Sequence, residues 1–96
     1  MAMTLTIQIG NSDGKLTEHL WHRYMAEVYE LLDMETREIH FAANSHPSPQ
    51  APWQNACYVC DVQACDLNRI RDRLKEISNR FHQDAVAWTE GETIFI

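Results

Sequence analysis

Apolar and polar residues alternate strictly from Thr4 to Ile9, with Leu5, Ile7 and Ile9 on one face and Thr4, Thr6 and Gln8 on the other. A period of two predicts a half-buried strand. Gly10-Asn11-Ser12-Asp13-Gly14 ends it, because each of these residue types favours a turn. The period then lengthens. Leu16, Leu20, Tyr24, Val28 and Leu31/Leu32 recur at helical spacing, widened by Trp21, Met25 and Tyr29, and predict a helix over about 16–33. Alternation returns over 37–43, a second strand with Ile39 and Phe41 toward the core and Glu38 and His40 away from it. Pro47, Pro49 and Pro52 forbid regular pairing in the stretch that follows, which becomes a long, stiffened loop. Connections of that length between two strands are often functional.

Trp53–Gln63 reads as a third strand, placing Tyr58, Cys60 and Val62 inward and Cys57, Val59, Asp61 and Gln63 outward. Asp66 is positioned to cap a second helix that runs to about Phe81, with Leu67, Ile70, Leu74, Ile77 and Phe81 as its apolar stripe. Ala85–Thr89 forms a fourth strand and Glu90-Gly91 a tight turn. Thr93–Ile96 is then either a short fifth strand folding back or the end of a bent fourth. Right-handed crossovers leave room for one strand between each parallel pair. The expected fold is an α+β, ferredoxin-like βαββαβ sandwich of one domain over residues 1–96. Its four-stranded antiparallel sheet carries both helices on one face, and the first and third strands are central.

Composition narrows the function classes. An apolar fraction of 45% with 23% charged residues fits an ordinary folded domain. No run is long enough to span a bilayer, and the N-terminal residues lack a basic segment followed by an apolar one, so a cytoplasmic protein with no membrane role is expected. The net charge of −6 argues against binding to a nucleic-acid backbone. The charge is segregated: Arg69, Arg71, Arg73, Lys75 and Arg80 share the second helix, while Glu27, Glu30, Asp33, Glu35 and Glu38 gather at the end of the first and just beyond it. Such a bipolar surface suits self-association or a charged protein partner, and Arg69, Arg73 and Arg80 are its candidate contacts.

Candidate chemistry is sparse. Cys57 and Cys60 have C-x-x-C spacing, but an offset of three on a strand puts them on opposite faces, and no second such pair exists. His19 and His22 lie near a polar helix face without a third ligand. No metal or cofactor is expected. In the predicted topology, the connections at 10–15, 43–55 and 81–84 meet at one end of the sheet. They bring together Asn11, Asp13, His46, Trp53, Gln54, Asn55, His82, Gln83 and Asp84, the groups a small polar-ligand pocket needs. Were that end catalytic, His46 or His82 would act as base, with Asp13 or Asp84 orienting it and Cys57 as a candidate nucleophile.

The segments Ala51-Pro52-Trp53-Gln54-Asn55-Ala56-Cys57 and Gln83-Asp84-Ala85-Val86-Ala87-Trp88-Thr89-Glu90-Gly91-Glu92-Thr93 resemble short uncharacterised proteins of bacteria and their phages, over about a fifth of the chain. The resemblance implies no established activity and carries no catalytic residue. Nuclease-like members of the fold would want an acidic metal site at the end of the first strand, where this chain has Ile9-Gly10-Asn11. The expectation is therefore a small acidic binding or regulatory protein, a homodimer or higher homo-oligomer. A phage-encoded inhibitor of a host defence system, acting by protein docking or ligand sequestration, fits that description. The alternative is a small-molecule enzyme or sensor using the loop-end pocket.

Overall fold

The first alternating stretch becomes β1 (Met3–Gly10), with Leu5, Ile7 and Ile9 buried as its period of two requires. The computed structural model describes residues 2–11, 14–50 and 52–96. After β1 come α1 (Glu18–Glu35), β2 (Glu38–Asn44), β3 (Asn55–Val62), a 3-10 turn (Ala64–Asp66), α2 (Leu67–Arg80) and β4 (Ala87–Glu92). The sheet order is β2-β3-β1-β4, with every neighbouring pair antiparallel. This is the expected ferredoxin-like sandwich, both helices on one face and β1 and β3 central.

Helix α1 begins where local chemistry sets its first turn. The Thr17 hydroxyl accepts from the Leu20 backbone N–H at 3.3 Å. Leu16 just before the cap and Trp21 four residues after it are both buried, the placement of a hydrophobic staple. The α1 stripe Trp21, Tyr24, Val28, Leu31 and Leu32 meets the α2 stripe Leu67, Ile70, Leu74 and Ile77 above the inner sheet residues Leu5, Ile7, Tyr58 and Cys60. Tyr24 stacks on Phe81 at 5.1 Å between ring centres, and its hydroxyl pairs with that of Ser78 at 3.0 Å. The two helices are thus joined by a polar contact inside an apolar layer.

Four local expectations need correction. Phe41 is not a core residue. A bulge between Ile39 and Phe41 leaves His40 as the extra residue, so Phe41 pairs with Val59 on the uncovered face. Glu90-Gly91 is not a turn, because both residues lie within β4, paired with Leu5 and Thr4. The Asp66 carboxylate does not cap α2. It bonds Arg69 at 2.9 Å instead, and a 3-10 turn leads into the helix. Residues 93–96 form no fifth strand. Thr93 stays beside β1, its N–H donating to the Ala2 carbonyl and its hydroxyl meeting that of Thr4.

Candidate functional site

Because β1 and β2 run one way and β3 and β4 the other, the β1–α1, β2–β3 and α2–β4 connections do gather at one end of the sheet. What their polar side chains do there differs from residue to residue. Asn11 is buried and fully engaged. Its amide nitrogen donates to the Leu16 carbonyl at 2.9 Å and to Gln54 Oε1 at 2.7 Å, while its oxygen accepts from the Leu16 N–H at 2.9 Å. Its backbone N–H also donates to the Gln54 carbonyl at 2.8 Å. Gln54 completes the chain by donating to Glu18 Oε2 at 2.7 Å. Asn11 and Gln54 therefore work as a clamp that ties the long proline loop to the start of α1.

The neck of that loop is closed by Ser45. Its N–H donates to the Asn55 carbonyl, its hydroxyl donates to the Trp53 carbonyl, and the same oxygen accepts from the Asn55 N–H, all within 3.0 Å. Trp53 and His46 stand exposed outside this neck. Asp13 lies outside the described residues.

On the third connection, His82 adopts a left-handed conformation, φ 57°. Its N–H donates to the Asn79 carbonyl and the Gln83 N–H donates to the Ser78 carbonyl, the double closure of a Schellman motif. Most proteins put glycine there, since a side chain strains this backbone. Buried Gln83 donates from its side chain to the Phe81 carbonyl at 3.1 Å. Asp84 is an exposed carboxylate 3.2 Å from Lys15 Nζ, which ties the first connection to the third. His82 is therefore a helix terminator with an exposed side chain, and among the described residues neither it nor His46 pairs with a carboxylate of the kind that orients a general base.

Between these clamps lies an open groove of about 400 Å³ lined by Gln8, Gly10, Asn55, Gln83 and Asp84. Asn55 presents its side chain to it, as does Asp84, whose carboxylate also pairs with Lys15. Gly10 leaves Asn55 its place, because a Cβ there would come within 3.1 Å of Asn55 Oδ1.

The cysteines divide as strand parity predicts. Cys60 is in the core, and burial pushes its thiol up to about 11, with a smaller opposing effect from a hydrogen bond to Thr36. A thiol held protonated in this way is a poor nucleophile. Cys57 lies on the other face, opposite Gln8 and Ala43, and Cys65 is exposed. Burial likewise raises the Tyr58 and Tyr24 hydroxyls. Among the described residues, no cluster of three His, Cys, Asp or Glu side chains is placed to hold a metal, and no helix is long and apolar enough to cross a membrane. His19 and His22 remain on the exposed face of α1, with His22 3.0 Å from Glu18.

The segregated charge is met inside the chain. Arg69 reaches Glu35 at 2.7 Å, Arg73 reaches the same carboxylate at 3.4 Å, and Arg80 reaches Glu27 at 2.6 Å. These pairs join α2 to α1, and the Arg69 guanidinium is held more strongly protonated by Glu35 and Asp66. Sequence reasoning placed the arginines on one helix but missed this pairing. The signal was present: the acidic cluster and the basic helix are the two partners, and the sandwich packs them side by side.

The face of the sheet opposite the helices is uncovered. It carries Phe41 and Ala43 from β2, Cys57 and Val59 from β3, Thr4 and Thr6 from β1, and Thr89 from β4. Phe41 is 53% exposed. At the opposite end from the loops, Ile94 and Phe95 project beyond β4, 76% and 85% exposed.

No family model matches the chain, and no curated protein matches it in sequence. Solved structures do share its shape. The de novo designed protein Foldit4 superposes with a TM-score of 0.68 at 9% identity, covering 98% of this chain and 100% of that one. Formyltetrahydrofolate deformylase from Burkholderia mallei gives 0.55 at 15% identity, covering 95% of this chain, which spans only 28% of the deformylase. An uncharacterised protein of Thermotoga maritima gives 0.50 at 13% identity, covering 94% of this chain and 92% of that one. At such identities the likeness is one of backbone path alone. The chain is an α+β protein of ferredoxin-like fold, a four-stranded antiparallel sheet with both helices on one face.

Proposed function

We infer that this is a small acidic binding protein, non-enzymatic, which works as a homo-oligomer and docks on a protein partner through the uncovered face of its sheet. The observation that carries this reading is Phe41. A bulge spends one residue of β2 to turn an aromatic ring away from the core and onto the open face. Bulges of this kind commonly re-aim a side chain. Phe41, Val59, Ala43 and Cys57 then form an apolar group bordered by threonines, and exposed apolar groups with a polar border mark interaction surfaces. Two further features support docking over catalysis: the clamp consumes Asn11 and Gln54, and among the described residues no carboxylate orients His46 or His82. Replacing Phe41 with Ser should leave the fold and its unfolding temperature intact while abolishing partner binding. Unchanged binding by that variant would sink the reading.

One observation favours a second reading, a small polar ligand held in the loop-end groove. Asn55, and Asp84 beside its pair with Lys15, present hydrogen-bonding groups to about 400 Å³ of open space. A ligand there would be lost on Asn55→Ala and unaffected by Phe41→Ser. Replacing His46 and His82 together with Ala should leave docking intact and would abolish an activity that used either imidazole.

A further inference from the structure

We propose that Ile94, Phe95 and Ile96 of one copy lie along the free edge of β4 in a second copy, with the two isoleucines filling the groove between α2 and β4, and that the second copy returns the contact. This rests on the homo-oligomer reading above and assigns it a surface.

Strand β4 pairs with β1 on one side only, so its outer edge offers unpaired backbone groups. Beside that edge, on the helix side of the sheet, is a groove of about 310 Å³. Its apolar lining comes from Leu74, Val86 and Trp88, and its rim from Arg71 and Lys75. Val86 and Trp88 are only partly buried in the single chain, so the groove leaves apolar surface wet. The same chain carries an apolar segment of matching character, Ile94-Phe95-Ile96, left uncovered.

The segment cannot fill its own groove. Thr93 is held in line with the start of β1 through Ala2 and Thr4. The extended stretch back from Thr93 to Val86 covers about 23 Å. Residues 94–96 reach about 11 Å at full extension. A second copy, turned about a two-fold axis, brings its segment directly past this edge.

Parity then selects the register. Trp88, opposite Ile7, is on the helix side of the sheet, so an extended continuation puts Ile94 and Ile96 on that side and Phe95 on the other. In an antiparallel pair, directly opposed residues share a face. Setting Ile94 opposite Trp88 and Ile96 opposite Val86 of the second copy meets this rule and fills the groove with both isoleucines. It also places Phe95 opposite Ala87, and it puts Gly91 on the two-fold axis, where a Cβ would meet no atom of its own chain within 4 Å. The register has one unfavourable consequence. Glu90 faces Glu92 of the other copy, and like charges across strands repel. Arg71, 3.6 Å from Glu90 and 5.0 Å above the Trp88 ring, offsets part of it. Screening removes more, so association should tighten with added salt, the opposite of a dimer held by ion pairs.

The experiment is light scattering coupled to size exclusion over a range of protein and salt concentrations, with amide hydrogen exchange on the same samples. Wild-type protein is expected to have dimer mass, to tighten as salt rises, and to show slowed exchange along β4 that deepens with protein concentration. Ile94→Asp with Ile96→Asp should raise the dissociation constant at least tenfold and leave the unfolding temperature unchanged only in samples dilute enough to be monomeric, because neither side chain supports the single-chain core. A dimer of unchanged affinity in that variant, or no concentration-dependent protection of β4, would overturn this interface while leaving the homo-oligomer reading intact. Wild-type protein that stays monomeric throughout would overturn both.

Discussion

Asn11→Ala is the sharpest test of whether the loop end is a clamp. The substitution removes three side-chain hydrogen bonds, two to the backbone of Leu16 and one to Gln54. The Leu16 N–H and carbonyl are left buried without their partner, and an unsatisfied buried group costs about 1–3 kcal/mol. Gln54 is half-buried and regains water, so its loss is small. Adding two such backbone groups gives about 3 kcal/mol, or roughly 12–24 °C in unfolding temperature for a domain of this size. Urea and thermal unfolding followed by far-UV circular dichroism measure this directly, with an unchanged denaturant slope showing that the transition is otherwise the same. Gln54→Ala alone should cost about 1 kcal/mol, and the pair should couple by about 1 kcal/mol because the two share a bond. A loss below about 1 kcal/mol for Asn11→Ala would refute the clamp and return Asn11 to the set of ligand-binding candidates.

Other perturbations test other parts of the account. Cys60 binds its proton more tightly folded than unfolded, so the folded state holds more protons between the ordinary thiol value near 9 and about 11. Stability from this group is complete below about 9 and should fall by about 2–3 kcal/mol as pH rises through that window. Cys60→Ala should flatten that part of the pH–stability curve, and a wild-type curve already flat there would contradict it. Tyr24→Phe leaves the buried Ser78 hydroxyl without its partner and should cost about 1–2 kcal/mol in the same unfolding assay. His82→Gly relieves a side chain from a left-handed backbone and should stabilise by about 1 kcal/mol, whereas a loss would mean that the imidazole has a structural partner. Reversing Arg69, Arg73 and Arg80 to Glu should lower the unfolding temperature and make it rise with added salt, since attraction to Glu27 and Glu35 becomes repulsion that salt screens; no change would free them as docking contacts.

The topology was legible because two periods and their order suffice for it. Three strands alternate, two helices repeat at helical spacing, and right-handed crossovers leave one arrangement. Details failed where a residue's partner is distant. Alternation counts residues but cannot register an extra one, so the bulge at His40 sent Phe41 to the wrong face. Glu90-Gly91 has the composition of a turn, yet its pairing with Leu5 and Thr4 keeps it in β4. Asp66 is a good cap by residue type, and Arg69 takes its carboxylate instead. The convergence of three connections was likewise readable from topology. That Asn11 and Gln54 spend their side chains on each other was not, because no local signal couples residues so far apart in the chain.

The most direct test of the central claim, docking through the open sheet face, is native mass spectrometry of the protein purified from its host beside its Phe41→Ser variant. The account predicts a dimer that carries a protein partner in the wild type and a dimer without that partner in the variant. A small-molecule mass retained by both proteins and lost on Asn55→Ala would contradict it and establish the loop-end groove as the site.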